Sequence, residues 1–128
     1  MASPDLPVVT RDYEPSSVKL NTFHDKVPGF IDGTDTPRAF LEECIEIIAV
    51  REPKIKAFVV KNLEAARMAA DRSSERYKAG NQISRVDGMP FAVKDLFMTA
   101  EFPTELNSPL FAGERHRFDS AHVYALQR

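Results

Sequence analysis

The sequence predicts an α/β layered fold with only part of its sheet present in this chain. Two segments, residues 36–53 and 62–80, repeat apolar residues at helical spacing. Two short runs, residues 55–60 and 90–93, are rich in the β-branched and aromatic residues typical of strands. The predicted order is arm, helix, short strand, helix, strand, long loop and partial helix.

Composition and charge are those of an ordinary globular protein. The 128 residues are 43% hydrophobic and 28% charged, which suffices for one domain with a core. The 17 basic and 19 acidic residues are interspersed, so the charge gives no reason to expect nucleic acid or a membrane as partner. No apolar run approaches the roughly 18 to 20 residues that span a bilayer, and the first residues lack a signal-peptide pattern. We expect a soluble, cytoplasmic protein.

Residues 1–35 differ in character from the rest of the chain. They contain four of the nine prolines and show no sustained apolar period. Such a segment is typical of an extended arm or a loosely docked lead-in. We therefore predict an extended N-terminal arm over residues 1–35 and an α/β domain over residues 36–128.

The first predicted helix lies in "TDTPRAFLEECIEIIAVREP". Thr36 can cap it, Pro37 suits its first position, and Pro53 is expected to end it. The single cysteine, Cys44, falls on the apolar stripe of this helix and is expected to be a buried core residue. The stripe consists of Phe40, Leu41, Cys44, Ile45 and Ile48.

The remaining elements follow the same reasoning. Residues 55–60, "IKAFVV", predict a short strand, and the next helix is expected to begin after Asn62 as its cap and to stop at Gly80. In "MPFAVKD" the run from Phe91 to Val93 predicts a strand that is buried on both faces. A loop is expected up to residue 117, and Asp119 is expected to cap a final helix with one apolar face.

Lys94 is the candidate functional residue, because it directly follows the apolar run of the second predicted strand. One interpretation is that the lysine only marks where a buried strand reaches the surface. The other is that the strand carries an amine into a closed site, where a partly desolvated lysine can act as a base. Taken alone, the pattern favours the first interpretation.

The chain resembles the amidase signature family, serine hydrolases of carboxamides, over residues 36–128. The resemblance is carried by "DGMPFAVKDLFMTA", "PT", "SPLFAG" and "DSAHVYAL", in that order, and upstream by "LEECIEIIAVREPKIKAFVV". It implies the N-terminal part of an amidase-signature fold, in which helices pack on a mixed sheet that is incomplete in this chain. With this context, the catalytic interpretation of Lys94 is favoured over the structural one.

The resemblance implies a Ser–Ser–Lys triad with Lys94 as the base. Through an intermediary serine, the lysine would draw the proton from a nucleophilic serine, which attacks the carbonyl of a small-molecule amide and forms an acyl-enzyme. A free lysine has a pKa of about 10.4, so a useful base needs a downward shift of about three units. The resemblance implies neither a metal nor an organic cofactor, and His24, His116 and His122 lack the paired spacing of zinc ligands.

Structural roles are also expected for three residues of the segment around Lys94: Asp95, Gly88 and Asn107. Asp95 points to the opposite face of the predicted strand and is expected to cap the following loop through backbone amides. Gly88 is expected to supply the turn before Pro90. Where the family usually has Gly before a serine, this chain has Asn107 before Ser108, and asparagine tolerates positive φ better than most residues.

The two serines of the triad lie downstream of this region in the family. We expect no nucleophile among the candidate serines here, which stand in helical, turn or capping contexts: Ser73, Ser74, Ser84, Ser108 and Ser120. The chain alone is therefore expected to be inactive, and to be prone to self-association. An alternative from another class is a non-catalytic interaction module or subunit that assembles with a partner chain. The resemblance leaves open which amide is cleaved and whether the protein works alone or in tRNA-linked amide transfer.

Overall fold

The computed structural model describes residues 22–128, which form helices joined by long irregular segments. Two long helices, α2 and α3, pack together at its centre, and the short helix α1 packs on α3. No helix within these residues is long and apolar enough to cross a membrane. The helices are α1 (Val27–Asp32), α2 (Pro37–Ile55), α3 (Leu63–Lys78) and α4 (Ala121–Leu126), with 3-10 helices at Phe23–Asp25 and Pro109–Phe111.

Helix α2 begins as the sequence predicts and ends two residues later than predicted. The Thr36 hydroxyl accepts a hydrogen bond of 3.0 Å from the N–H of Ala39. Pro53 lies inside the helix instead of ending it, because a proline removes its own amide donor but leaves the following residues free to stay helical. Lys56, at φ 53°, closes the helix through its N–H, which donates to the carbonyl of Glu52 over 2.8 Å.

Helix α3 has both predicted ends. The Asn62 side chain accepts from the N–H of Ala65 over 3.1 Å. At the other end Gly80 has φ +68°, and its N–H donates to Tyr77 O over 3.1 Å. The N–H of Asn81 donates to Arg76 O over 2.9 Å, which completes a Schellman closure and satisfies the last carbonyls of the helix.

The core lies where α1, α2 and α3 meet. Its buried hydrophobic side chains there are Phe30, Leu41, Ala70 and Tyr77. The Phe30 and Tyr77 rings meet edge to face with centroids 5.4 Å apart, a favourable arrangement for aromatic pairs. Cys44, expected to be buried, is only partly covered.

The surfaces of α2 and α3 are also joined by charge. Arg67 binds the carboxylate of Glu42 with two nitrogens, Nε at 2.7 Å and Nη2 at 2.9 Å. Arg38 Nε donates to the same carboxylate over 2.9 Å. Glu42 therefore binds one arginine on its own helix and one on the neighbouring helix.

Part of the predicted N-terminal arm is described. Residues 1–21 lie outside the described residues. Residues 22–35 contain the first 3-10 helix and α1, and Phe30 in α1 is buried against Tyr77. The division into an arm and a domain at residue 35 stays a prediction.

The predicted sheet is not supported, because the residues from 22 to 128 contain no strand. Residues 56–60 and 90–94 run without regular structure, since a strand needs a neighbour to pair with and neither segment has one within that range. The predicted burial of the second segment on both faces is also wrong. Phe91 is 38% exposed, and Val59 in the first segment is 72% exposed.

The predicted loop up to residue 117 is present, and three hydrogen bonds connect its two arms. The N–H of Ser120 donates to Met98 O over 2.8 Å, and the N–H of Thr104 donates to Glu114 O over 2.9 Å. Asp119, predicted to cap α4, instead accepts from the N–H of Ala100 over 2.9 Å. Ser120 takes the N-cap position one residue later, without a side-chain bond to the helix.

Candidate functional site

The turn before the candidate site is anchored by a buried carboxylate, Asp87, which is 4% exposed. It accepts hydrogen bonds from Ser73 Oγ and Arg76 Nε, each at 2.8 Å, and from the N–H of Ile83 at 3.2 Å. Burial raises the pKa of Asp87, but the hydrogen bonds from Arg76 and Ser73 outweigh it, so the pKa lies below its ordinary value. Asp87 thus fixes the chain leading to Lys94 onto α3.

Gly88 makes the tight turn that the sequence predicts. Its φ is +84°, and a Cβ at this position would lie 2.7 Å from Ser73 Oγ and 2.8 Å from Pro37 Cβ. A side chain is therefore excluded both by the backbone conformation and by the close approach of the turn to α2 and α3.

Lys94 lies exposed at an open cleft of about 350 Å³. Its carbonyl accepts from the N–H groups of Leu96 at 2.7 Å and Phe97 at 3.1 Å, which turns the chain sharply after the lysine. None of the ion pairs among residues 22–128 involves Lys94. The cleft is lined by Lys56, Ala57, Val59, Lys94, Asp95, Leu96, Leu106 and Asn107.

Asp95 caps the following loop, as predicted. Its Oδ1 accepts from the N–H of Glu105 over 2.8 Å and its Oδ2 from the N–H of Asn107 over 3.1 Å. These bonds, the Glu105 amide first, and to a smaller extent the charge of Lys94, lower the pKa of Asp95 below its ordinary value. The carboxylate is thereby occupied by the backbone of the loop. The two side chains line the same cleft, so the expected opposite orientation of Asp95 is wrong.

The departure from the family pattern at Asn107 is accommodated by the backbone. Asn107 has φ 51° and Leu106 has φ 54°, so two successive residues without the freedom of glycine adopt the left-handed region. Asn107 thus has the positive φ that asparagine tolerates better than most residues. The next residue, Ser108, accepts from the N–H of Leu110 over 3.3 Å and caps the second 3-10 helix.

The candidate serines of the described residues serve structural roles. Ser73 donates to Asp87, and Ser74 Oγ donates to the carbonyl of Ala70 over 2.8 Å within α3. Ser84 accepts from the N–H of Val86 in the turn over 3.2 Å. The lining of the Lys94 cleft, within residues 22–128, includes no serine.

The histidines and acidic residues do not assemble a metal centre in the described part of the chain, which holds no group of three or more potential ligands. His122 packs edge to face on Phe97, with ring centroids 4.1 Å apart. Phe97 follows the turn after Lys94, so this contact joins α4 to the chain beside the cleft.

Sequence reasoning missed the anchoring role of Asp87. Its only local signal was the turn dipeptide Asp87-Gly88, which indicates a turn but not a buried carboxylate. The partners Ser73 and Arg76 lie one helical turn apart on α3 and face the same side, a spacing that could have suggested a shared ligand.

Comparison with known proteins now identifies the class to which this fold and cleft belong. The amidase family model matches residues 39–128, which include Asp87, Lys94 and Asp95. The chain belongs to the amidase family.

Curated relatives of the chain include A subunits of glutamyl-tRNA(Gln) amidotransferases. It is 35% identical over 85 residues to such a subunit of Chloroflexus aggregans, a match that covers 66% of this chain and 17% of the relative. It is 33% identical over 94 residues to the corresponding subunit of Chloroflexus aurantiacus, covering 73% of this chain and 19% of that relative. The chain therefore spans less than a fifth of the length of these two relatives.

A solved structure shares the fold over most of the chain. It is an inhibitor-bound vestigial protein complex, described as revealing the evolutionary origins of an s-triazine catabolic enzyme. The TM-score is 0.74 at 28% identity, and the match covers 80% of this chain and 23% of the other.

Proposed function

We propose that the chain is the N-terminal part of an amidase-family hydrolase that cleaves the C–N bond of a small-molecule carboxamide through an acyl-enzyme, with Lys94 as the base. The serine nucleophile and the intermediary serine would come from sequence beyond this chain. By this proposal residues 1–128 alone are inactive.

The observation that carries the proposal is that Asp95 is hydrogen-bonded to backbone amides and that Lys94 forms no ion pair within residues 22–128. The Asp95 carboxylate is held by two backbone amides, and no carboxylate among residues 22–128 is paired with Lys94. A lysine acts as a base only when its neutral form is accessible, and an ion pair would favour the charged form. Lys94 forms no such ion pair within residues 22–128, although the adjacent Asp95 is near enough for the lysine charge to lower the pKa of its carboxyl.

The cleft has the mixed lining that such a base requires. Val59, Leu96 and Leu106 give apolar surface to the cleft that Lys94 also lines. A base of this kind works in a site from which water is excluded, so sequence beyond this chain would have to cover the open side of the cleft. The intermediary serine could then pass its proton to Lys94 as the nucleophile attacks the amide carbonyl.

The alternative function is a non-catalytic module that assembles with a partner chain. It is favoured by the large apolar side chains that stand exposed, including Val50 at 81% and Val59 at 72%. It also agrees with the names of these curated relatives, which are those of subunits of glutamyl-tRNA(Gln) amidotransferases.

The deciding experiment measures amide turnover by the longer protein carrying Lys94→Arg or Lys94→Ala. We expect both variants to fold and to lose most turnover, since arginine stays protonated and cannot accept the proton. Lys56→Asn is the matched control, because it removes a second lysine from the same cleft with a residue that tolerates the positive φ of that position. Near-normal turnover by the folded Lys94→Arg protein would rule out Lys94 as the base, whereas a lack of turnover in the parent longer protein would favour the assembly module.

The chain itself supplies an independent check. Purified residues 1–128 should not hydrolyse simple amides. Turnover by this chain that disappears in Lys94→Ala would contradict the proposal that the nucleophile lies elsewhere.

A further inference from the structure

We infer that Asp95 is a positioning residue, which holds Leu106 and Asn107 as one wall of the cleft that Lys94 lines. The inference deepens the proposed function and rests on it for the meaning of the cleft. The two hydrogen bonds by which Asp95 holds this wall, here called the clamp, can be measured without any catalysis.

The first support is the way the carboxylate is used. Each oxygen of Asp95 accepts one backbone N–H, from Glu105 at 2.8 Å and from Asn107 at 3.1 Å, and the two donors bracket Leu106. Charge-assisted bonds to a carboxylate are stronger than those between neutral groups. Two of them on alternate residues fix both the position and the direction of the wall.

The second support is the backbone conformation of the wall. Leu106 and Asn107 have φ of 54° and 51°, a region that L-residues avoid and that two neighbours rarely share. Such a conformation persists only when surrounding contacts over-determine it. The clamp from Asp95 supplies those contacts on both sides of Leu106.

The third support is the direct covalent link to the proposed base. Asp95 follows Lys94 in the chain, and the Lys94 carbonyl is itself fixed by the N–H groups of Leu96 and Phe97 at 2.7 Å and 3.1 Å. The rigid turn and the clamp therefore set the distance between the lysine and the wall together. A change at Asp95 should alter the shape of the cleft while leaving the amine of Lys94 in place.

A matched control exists within the same loop. Asp119 also uses a carboxylate to hold a backbone amide, that of Ala100 at 2.9 Å, but neither residue lines the cleft. Asp95→Ala and Asp119→Ala thus remove the same kind of bond at two sites, of which only one belongs to the wall.

The closing experiment is amide hydrogen exchange by NMR on residues 1–128. In Asp95→Ala the amides of Glu105 and Asn107 should exchange about tenfold faster or more, as expected for loss of a bond to a charged group, while Ala100 is unchanged. In Asp119→Ala the amide of Ala100 should exchange faster, while those of Glu105 and Asn107 are unchanged. Unchanged exchange at both wall amides, with α3 still protected, would overturn the inference. If Asp95→Ala does not fold, Asp95→Asn replaces it, and one of the two wall amides should then lose protection because the amide group keeps only one acceptor oxygen.

A second readout separates positioning from a purely structural role. In the longer protein, Asp95→Asn should raise KM for the amide with a smaller effect on kcat, whereas Asp119→Asn should leave both unchanged. Equal values of KM for Asp95→Asn and the parent protein would overturn the role at the cleft. Retention of turnover by Lys94→Ala would instead refute the proposed function and leave the exchange result intact, so the two failures are distinguishable.

Discussion

Ser73 and Asp87 are joined by a buried hydrogen bond, in which the serine hydroxyl of α3 donates over 2.8 Å to the carboxylate of the turn. Both side chains are almost inaccessible, at 1% and 4% exposure for the residues. The bond connects the middle of a stable helix to the segment that leads to Lys94. Loss of the carboxylate would leave Ser73, Arg76 and the N–H of Ile83 without their shared acceptor.

Asp87→Ala is expected to lower the free energy of unfolding by about 1–3 kcal/mol, because buried donors would lose their partner. Asp71→Ala is the control, since Asp71 pairs with Arg38 at the exposed surface, where ion pairs contribute little. Urea unfolding followed by circular dichroism checks both. Equal stability of Asp87→Ala and Asp71→Ala would contradict the anchoring role.

The link between α2 and α3 should weaken in acid. Arg67, against a smaller opposing effect of burial, lowers the pKa of Glu42 from 4.5 to about 2, with a further contribution from Arg38. A carboxylate whose pKa is lower in the folded than in the unfolded state contributes stability above the unfolded pKa. This contribution is lost as the pH falls from about 4.5 toward about 2.

Glu42→Gln tests this link, because it cannot titrate. Thermal unfolding at a series of pH values should show that the variant loses less stability than the parent between pH 5 and 2, roughly the window set by the two pKa values. Glu46→Gln, on the same helix and in none of the ion pairs within residues 22–128, should behave as the parent does. Parallel pH profiles for all three proteins would speak against the prediction.

Gly88→Ala should be more destabilising than alanine at another glycine with positive φ. Gly33 has a similar φ, +80°, but its Cβ would meet nothing within 4 Å. Gly33→Ala should therefore lose only the conformational term of about 1–2 kcal/mol. Gly88→Ala should lose about 1–3 kcal/mol more, because its Cβ would overlap Ser73 and Pro37. If chemical unfolding shows that Gly88→Ala lowers the free energy of unfolding by no more than Gly33→Ala does, the predicted steric overlap at Gly88 is wrong.

The exposed apolar side chains should make the isolated chain self-associate. Val50 and Val59 are 81% and 72% exposed, and an unpaired apolar segment invites contact with another chain. Sedimentation should show association that grows with concentration and that Val50→Lys combined with Val59→Lys reduces. A strict monomer that binds no apolar dye would argue against this expectation.

The features predicted correctly from sequence are those set by near neighbours in the chain. Thr36 and Asn62 cap their helices, and Gly80 ends α3, because each interaction spans only a few residues. Asp95 was likewise predicted to cap the next loop, and it does so over a separation of ten to twelve residues.

The features predicted wrongly depend on what lies beside a segment in space. The run from Phe91 to Val93 has strand-like residues, yet without a neighbouring strand within residues 22–128 it forms no ladder and Phe91 is exposed. The burial and anchoring role of Asp87 could not be predicted for the same reason, because its partners Ser73 and Arg76 lie on α3, a separate element. A cleft lined by Lys56 and Lys94 could not be foreseen for a similar reason, because it joins the end of α2 to a distant turn.

Three hydrogen bonds join the two arms of the loop of residues 98–120. Two lie where the loop begins and ends, Ser120 to Met98 and Ala100 to Asp119, and the third, Thr104 to Glu114, lies further along it. These bonds close the loop on itself, and Asp95 separately holds Glu105 and Asn107 near its far end. Substitutions or short insertions near Leu110, which is 90% exposed, should therefore be tolerated. Variation over residues 109–112 would therefore leave in place the wall at Leu106 and Asn107 and the turn that carries Lys94.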